Sequence, residues 1–185
     1  MKLVAIDFET ANHSPLSACA IGFTIFEDGE LLLSHWTYIK PVQEANYFYA
    51  RNIEIHGISA SDIADAPLWD EVFELLKEHL DDCIVIAHNV RFDVGIFLAL
   101  CKRFGIRVPY FRYFDTIDLA KKLFKGLPNY KLNTVADHIG INLIHHDACS
   151  DARAAALIVI NAMNLMGIYD LEEFIRESYV KIYET

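Results

Sequence analysis

Residues 3–10 of the chain, LVAIDFET, contain a β-strand that carries acidic side chains where apolar ones are expected. Successive side chains of a strand point to opposite faces, so Asp7 and Glu9 share one face and lie about 6.5 to 7 Å apart along the strand. Two adjacent negative charges have no packing role in an otherwise apolar strand. The stretch therefore raises the question of what these two carboxylates bind.

The elements that follow this strand predict an α/β protein with a mixed, five-stranded sheet flanked by helices. Residues 18–26 and 30–39 are predicted to form a hairpin, because Asp28-Gly29 between them suits a tight turn with positive φ. Residues 84–88 form a short buried strand, and 113–124 a strand end that runs into a helix. Helical spacing of apolar residues predicts further helices at about 68–80, 93–105, 131–139, 148–166 and 170–183.

Length and composition indicate a single domain over residues 1–185, with a core at about 2–166 and a C-terminal amphipathic helix at about 170–183. The apolar side of that helix could dock a partner, but we expect it to pack on its own domain. A hydrophobic fraction of 54% is ample for a substantial core. The longest apolar runs fall short of the roughly 20 residues that a bilayer span needs, and no signal-peptide pattern opens the chain. We expect a cytoplasmic protein without a membrane partner, with four scattered, reduced cysteines.

Charge is distributed unevenly along the chain. The formal net charge is −10, but residues 91–131 contain nine lysines and arginines against three acids, a local balance of +6. A basic segment on an acidic body permits a nucleic-acid contact on one side, although it also fits a merely solvated face.

Two further acids fall on helix faces that are predicted to be buried. Asp93 lies on the apolar line of the helix at 93–105, and Asp151 lies on the line of Ala154 and Ala155. These alanines allow the helix backbone to approach the sheet closely. Both acids therefore point where their apolar neighbours point, as does the acidic pair of the first strand.

Four converging carboxylates indicate a site for divalent cations. Burial and mutual repulsion raise the pKa values of carboxyl groups, and cations remove the repulsion. An all-oxygen ligand set suits Mg²⁺ or Mn²⁺ better than zinc, and two such ions about 3.5 to 4 Å apart suit displacement at phosphorus. His146, five residues before Asp151, is placed to act as the base for an attacking water, whereas the alternative for a loop histidine is a surface or capping role.

Three motifs resemble those of a known family. Residues 7–10, DFET, resemble D-x-E-T; residues 88–93, HNVRFD, resemble H-N-x-x-F-D; and residues 146–151, HDACSD, resemble H-x-A-x-x-D. Together they are similar to the DEDDh, or DnaQ-like, exonucleases, the group that contains the proofreading subunit of bacterial DNA polymerase III and ribonuclease T. The resemblance covers nearly all of residues 2–166.

The resemblance implies a ribonuclease H-like fold and a metal-dependent 3′-to-5′ exonuclease that releases nucleoside 5′-monophosphates from single-stranded nucleic acid, with DNA favoured. It assigns Asp7, Glu9, Asp93 and Asp151 as ligands of two Mg²⁺ or Mn²⁺ ions and His146 as the general base. His145 competes for that role, but it precedes Asp151 by six residues instead of the family's five.

The resemblance also implies a set of residues that hold the 3′ end of the substrate. Phe8 and Thr10 would contact the terminal sugar. Ile55 and His56 would wedge against the last base, and the ring of Phe92 would lie nearby. Ordinary core packing is the alternative for these side chains. Asn89 would contact a phosphate, and the alternative for it is capping of the loop. The predicted set is Phe8, Thr10, Ile55, His56, Asn89 and Phe92.

One departure and two functional alternatives remain. Many relatives continue the first motif as E-T-T-G, whereas residues 9–12 here are Glu-Thr-Ala-Asn, which leaves the choice of substrate more open than metal binding. An RNA-directed exonuclease has the same catalytic motifs. A catalytically silent nucleic-acid-binding module, associated with a DNA polymerase, would keep the fold. Asp115 and Asp147 are predicted to be helix N-caps, not ligands.

Overall fold

The computed structural model describes residues 1–144 and 147–185 and contains a six-stranded sheet with helices on both faces. The strands are β1 (Lys2–Thr10), β2 (Ala18–Glu27), β3 (Glu30–Tyr38), β4 (Cys83–Ala87), β5 (Phe111–Asp115) and β6 (Tyr183–Glu184). The helices are α1 (Ala50–His56), α2 (Trp69–Leu76), α3 (Val90–Phe104), α4 (Thr116–Leu123), α5 (Leu132–His138), α6 (Ala148–Met166) and α7 (Leu171–Ser178).

The sheet is mixed, with strand order β3-β2-β1-β4-β5-β6. β1, β2 and β3 form an antiparallel meander, and β1, β4 and β5 run parallel. The predicted hairpin turn is confirmed, since Asp28 and Gly29 both have positive φ, at 50° and 85°. Parallel neighbours need a crossover, and α3 supplies it between β4 and β5.

Side chains of β1 alternate between two hydrophobic cores. Leu3 and Ala5 face the core under α4, α5, α6 and α7, whereas Val4 and Ile6 face the core under α2 and α3. By the same alternation, the carboxylates at positions 7 and 9 continue the α6 face of the strand. The predicted shared face of these two acids therefore places them under α6.

The C-terminal region corrects two predictions. The helix predicted at 170–183 ends at Ser178, where Tyr179 takes a left-handed conformation with φ of 53°. The chain then extends and adds β6 antiparallel to β5, so the sheet has six strands instead of five. The open edge of β5 offers backbone hydrogen bonds that no sequence period reveals, and the rings of Tyr113 and Tyr183 stack beside it at 5.3 Å.

Other helices differ from their predictions in smaller ways. α1 was not predicted, because none of its residues is buried and it has no apolar stripe. The helix predicted at 68–80 is α2 followed by a 3₁₀ turn at Lys77–His79. The face of α7 packs on its own domain as predicted, with Leu171, Phe174 and Ile175 buried.

The membrane question concerns α6 and α7. Among the helices that the structure describes, none has the length and apolarity to cross a bilayer alone, and α6 with α7 passes as a pair, by length and composition only, across a 79° bend. The inward face of α6 is occupied by the core of the domain.

Candidate active site

The acidic centre forms where β1 extends past its parallel neighbour. The pairing of β1 with β4 covers only Leu3–Ala5, so among the described residues the later part of β1 has no neighbouring strand on that side. A buried backbone N–H needs an acceptor, and the Phe8 amide finds one in Asp93 Oδ1 at 2.9 Å. Asp93 comes from the first turn of α3 and is only 3% exposed. This hydrogen bond fixes the third predicted acid beside the first two.

The fourth acid depends on a close approach between α6 and β2. Gly22 is the register partner of Asp7, and a Cβ added to Gly22 would lie 2.0 Å from the carbonyl oxygen of Ala148. The first turn of α6 therefore lies directly on the glycine, which brings Asp151, 5% exposed, over the acidic face of β1. Ala154 and Ala155, which were predicted to allow this approach, are buried. The role of Gly22 was not predicted, because a glycine is needed there only to make room for a helix that is distant in sequence.

Three of the four predicted ligands converge directly. Asp7, Glu9 and Asp151 each offer a carboxylate oxygen, and these atoms lie within 4.8 Å of one another. Asp93 adjoins the group, because its charge acts on the carboxyl of Asp7. Residues 144 positions apart in the sequence thus form one acidic centre, which we define as Asp7, Glu9, Asp93 and Asp151.

Burial and mutual repulsion raise the pKa values in this centre. Burial, followed by the charges of Asp93, Glu9 and Asp151, raises the pKa of Asp7 well above its usual range. Burial, then Asp151 and Asp147, raises the pKa of Glu9 to about 8. For Asp93, burial raises the pKa to about 8 although the hydrogen bond from Phe8 opposes it. The ionised forms are therefore destabilised at neutral pH.

This donor set fits divalent cations. Three convergent carboxylate oxygens, with a fourth acid beside them, provide the all-oxygen ligands that hard cations prefer. A bound cation would also reverse the repulsion that raises the pKa values. The acidic centre is therefore where a divalent cation fits.

The acidic centre opens into a cleft of about 700 Å³. The end of β1 and the first turn of α6 form the floor of the cleft. Its walls are formed by the residue after β4, by α4 after β5, and by the residues at the start of α5. The lining residues are Asp7, Phe8, Glu9, His88, Ile117, Lys121, Tyr130, Lys131, Leu132 and Asp151. Two members of the basic segment, Lys121 and Lys131, therefore share the cleft with the acids.

His88 links two parts of the cleft wall. Its Nδ1 lies 2.9 Å from Thr116 Oγ1 and its Nε2 lies 2.8 Å from the Tyr130 carbonyl oxygen. Since a carbonyl oxygen can only accept, Nε2 donates in the second contact. His88 thus ties the start of α4 to the segment that leads into α5. The second motif contains this histidine, but its partners lie 28 and 42 residues away and could not be predicted.

The predicted N-caps are confirmed. Asp115 accepts from the Ile117 amide at 2.9 Å, and Asp147 accepts from the Ser150 amide at 2.8 Å. Asp115 also accepts from the amides of Asn89 and Val90, both at 3.2 Å. Asp115 therefore caps α4 and also supports the loop that leads into α3.

The predicted substrate contacts occupy different environments. Phe8 alone of the six appears among the described residues that line the cleft, and its side chain packs in the core against Trp69 at a ring distance of 5.6 Å. Its backbone N–H is already used by Asp93. Phe92 is 47% exposed, and Asn89 is exposed with φ of 93°, in the left-handed region. Substrate contacts at these positions stay predictions.

Helix α1 supports the end of β1 through two polar side chains. Ile58 donates its amide proton to His56 Nδ1 at 3.0 Å, so Nε2 carries the hydrogen that it donates to the Thr10 carbonyl at 3.1 Å. Asn52 Nδ2 donates to the same carbonyl at 2.7 Å. His56 therefore orients Thr10, while its neighbour Ile55 is 41% exposed on the helix surface.

The residues that depart from the common first motif are structural. Asn12 is 1% exposed, and its side-chain amide donates to the carbonyls of Ala45 and Tyr47 at 2.9 and 2.7 Å. Its side-chain oxygen accepts from the Ser14 amide at 2.9 Å. Asn12 therefore anchors the loop after β1 to the segment before α1, a role that sequence reasoning missed because all the partners are backbone atoms.

The predicted general base lies outside the described residues. His146 and its competitor His145 are both in this position, so the structure does not locate either imidazole. By sequence, His146 directly precedes Asp147, the N-cap of α6.

Comparison with known proteins identifies the class to which this fold and acidic centre belong. The model of the family described as "Exonuclease" matches residues 4–159, which is most of the chain. The chain therefore belongs to this exonuclease family. Its motif order, with the fold described above, places it among the DEDDh, DnaQ-like 3′–5′ exonucleases, which are phosphodiester hydrolases.

Curated relatives include the DNA polymerase III PolC-type of Caldanaerobacter subterraneus subsp. tengcongensis, 30% identical over 178 residues, or 93% of this chain and 12% of that protein. The PolC-type polymerase of Pediococcus pentosaceus is 38% identical over 147 residues, 78% of this chain and 10% of that protein. The 3′-5′ exonuclease DinG of Bacillus subtilis is 26% identical over 166 residues, 88% of this chain and 18% of that protein. The chain thus spans less than a fifth of the length of these relatives.

Solved structures share the ribonuclease H-like fold. Exonuclease X, in complex with 5′-overhanging duplex DNA, has a TM-score of 0.67 at 21% identity, covering 89% of this chain and 93% of that one. The nuclease domain of 3′hExo, a DEDDh family member bound to rAMP, has a TM-score of 0.73 at 15% identity, covering 100% of this chain and 96% of that one. These likenesses confirm the predicted fold class.

Proposed function

We propose that this protein removes nucleotides from the 3′ end of single-stranded DNA and releases nucleoside 5′-monophosphates with the help of two divalent cations, Mg²⁺ or Mn²⁺. The observation that carries the proposal is the convergence of carboxylate oxygens from Asp7, Glu9 and Asp151 within 4.8 Å at the floor of a cleft. Such a centre costs stability without cations, so its presence beside an open cleft favours a role in binding cations and a substrate phosphate.

The four acids would divide the work of holding the ions. Asp7, Glu9 and Asp151 would bind directly, since their oxygens already converge. One oxygen of Asp93 is engaged by the Phe8 amide, so its other oxygen would be the one available to an ion. When bound, the ions supply activation of a water nucleophile and stabilisation of charge on the leaving oxygen.

His146 would accept the proton of the attacking water. The support is its sequence position, five residues before Asp151, together with the general ability of imidazole to accept a proton at neutral pH. A His146→Asn variant should lose most of its turnover but keep the rise in melting temperature that Mg²⁺ produces in the wild type. Loss of the cation effect would instead assign His146 to the ligand set.

The loop end of β1 would position the terminal nucleotide. Thr10 follows directly on Glu9, and its carbonyl is fixed by Asn52 and His56. A fixed backbone next to the cations would favour one orientation of the sugar, as orientation effects in catalysis require. Ile55 and Phe92, both exposed, would offer apolar surface to bases, because stacking tolerates any base.

The preference for DNA and a polymerase partner draw their support from the relatives. Several of them are named DNA polymerase III PolC-type, although the chain spans only about an eighth of their length. A proofreading role beside a DNA polymerase is consistent with that similarity. Digestion of single-stranded DNA, duplex DNA with a mismatched 3′ end and RNA, side by side, would discriminate among the substrates.

The direct test is degradation of a 5′-labelled, single-stranded oligonucleotide. With Mg²⁺ or Mn²⁺ we expect a ladder that shortens from the 3′ end and nucleoside 5′-monophosphates as products. EDTA and the Asp7→Asn substitution should each abolish it, whereas Asp137→Asn, on the exposed surface of α5, should not. Binding of the oligonucleotide without any shortening would contradict the proposed function.

A further inference from the structure

Two lysines of the cleft stand out because they carry charge without a described partner. Lys121 lies on the last turn of α4, and Lys131 is the N-cap residue of α5. Both line the cleft that contains Asp7, Glu9 and Asp151. Within residues 1–144 and 147–185, neither ammonium group lies within ion-pairing distance of a carboxylate.

The two neighbouring lysines of the same segment behave differently. Lys122 donates its ammonium proton to the Tyr179 carbonyl, and Lys125 donates to the Lys121 carbonyl at 2.7 Å. These two side chains are thus used to tie the surface together. Lys121 and Lys131 have no such contact from their ammonium groups among the described residues. Surface contacts of this kind therefore do not account for all the lysines of the basic segment, residues 91–131.

The backbone under the cleft lysines is held firmly. Lys121 is four residues after Ile117, which places both on the same helix face and in the same cleft wall. The amide of Lys131 donates to Asn129 Oδ1 at 3.0 Å, and His88 anchors the preceding carbonyl, that of Tyr130, at 2.8 Å. The backbone at both positions is therefore held in place, and both residues line the cleft.

A polyanionic strand faces an electrostatic obstacle at this site. The whole chain has a net charge of −10, and the cleft floor is acidic. Cations at the acidic centre would neutralise the phosphate that is cut, but the following phosphates need other positive charges. The two cleft lysines are in the wall that those phosphates would meet.

We propose that Lys121 and Lys131 bind a backbone phosphate of the substrate strand upstream of the linkage that is hydrolysed. This inference rests on the proposed function and deepens it. The ligand is an internucleotide phosphodiester, so the preferred substrate is a strand that carries at least one further phosphate beyond the scissile one. Lysine suits this task as a flexible point charge, because the strand must advance after each cut.

The test compares three charge-removing substitutions of one residue type. Lys121→Gln and Lys131→Gln remove cleft charges, and Lys122→Gln removes the same charge on the adjacent residue, outside the cleft lining. For a single-stranded DNA oligonucleotide, we expect the cleft variants to raise KM several-fold with little change in kcat. The slope of log(kcat/KM) against log[salt] should become shallower by about 0.7 for each phosphate that a variant no longer binds. Lys122→Gln should leave both values near those of the wild type.

Oligonucleotides with one neutral methylphosphonate linkage would locate the contact. At the contacted position, the neutral linkage should lower kcat/KM for the wild type and have no further effect on the Lys121→Gln/Lys131→Gln variant, since both changes remove the same interaction. If no upstream neutral linkage affects the wild type, or if Lys122→Gln acts like the cleft variants, the phosphate site is overturned.

Binding to a fluorescent single strand, measured by anisotropy in the Asp7→Asn background, separates this inference from the proposed function. Weaker binding by the cleft variants supports the phosphate site even if the wild type hydrolyses nothing, an outcome that would contradict only the exonuclease activity. Hydrolysis by the wild type with unchanged binding in all lysine variants would contradict only the phosphate site.

Discussion

Two buried polar regions flank the end of β1 and differ in how their burial is compensated. In the acidic centre, carboxylates face one another, and burial and repulsion raise the pKa values of Asp7, Glu9 and Asp93. In the Asn12 loop, residues 11–17, every described polar contact joins a donor to an acceptor. Asn12 alone has four such hydrogen bonds through its side chain and amide.

The difference shows which region is built for stability and which for chemistry. Paired buried polar groups stabilise a fold or cost little, whereas like charges that face one another cost free energy until something neutralises them. The Asn12 loop therefore holds the end of β1 in place. The acidic centre stores unfavourable charge that divalent cations can relieve.

The largest expected effect comes from a neutral substitution in the acidic centre. Asp7→Asn should lower exonuclease activity by at least about 100-fold, since it removes a proposed direct cation ligand. The same substitution should stabilise the cation-free protein, because it deletes a carboxyl whose ionised form is unfavourable. Chemical denaturation and the nucleotide-release assay measure the two effects. A less stable Asp7→Asn protein in EDTA would contradict the account of stored repulsion.

The cation-free protein should also lose stability as the pH rises. The pKa values of Glu9 and Asp93 are raised from ordinary values near 4.5 and 3.8 to about 8. Between these limits the folded state binds more protons than the unfolded state, so the stability contribution is complete below about pH 4 and is lost as the pH rises toward 8. Urea denaturation in EDTA from pH 5 to 8.5 measures the slope. It should flatten in Asp7→Asn, because Asp7 contributes the same protonation effect.

Divalent cations should offset that loss. At a Mg²⁺ or Mn²⁺ concentration of 100 times the dissociation constant, binding to the folded state stabilises it by about 2.7 kcal/mol, or roughly 5 to 10 °C in melting temperature. The shift should be near zero in Asp7→Asn and full in an Asn12 variant, since the proposed cation ligands belong to the acidic centre and Asn12 does not. Equal shifts in both variants would place cation binding elsewhere.

A substitution under α6 should weaken the acidic centre without touching an acid. Gly22→Ala places a methyl group 2.0 Å from the Ala148 carbonyl, so α6 must move and carry Asp151 with it. We expect a loss of about 1 to 3 kcal/mol in unfolding free energy and weaker cation binding. Gly95→Ala is the matched control, because nothing lies within 4 Å of its added Cβ. Calorimetry with and without Mg²⁺ measures both variants.

The smallest expected effect on catalysis comes from the Asn12 loop. Asn12→Ala removes the side-chain donor of the Tyr47 carbonyl and one of the two donors of the Ala45 carbonyl, and it should cost about 2 kcal/mol of stability. Activity of the folded fraction should fall less than in Asp7→Asn, since no ligand is removed. Asn133→Ala, at an exposed site on α5, should change stability by less than about 0.5 kcal/mol. A change in cation affinity in Asn12→Ala would show that the two regions are coupled.

Much of the fold and the acidic centre could be predicted from local patterns. The period of two in β1 placed Asp7 and Glu9 on one face, and the helical period placed Asp93 and Asp151 on buried faces. β6 and α1 escaped prediction for opposite reasons. β6 exists because β5 has an open edge, and α1 lacks the apolar stripe that would have indicated a helix.

The sequence by itself determined the class of the protein and the four carboxylates of its acidic centre, because motif spacing and residue type can be read along the chain. Only the tertiary structure decided which groups meet. Gly22 leaves room for the first turn of α6, and His88 connects the start of α4 to the segment before α5. Lys121 and Lys131 line the same cleft as the acids. Each of these relations depends on contacts between residues far apart in sequence, and such contacts leave no local period to detect.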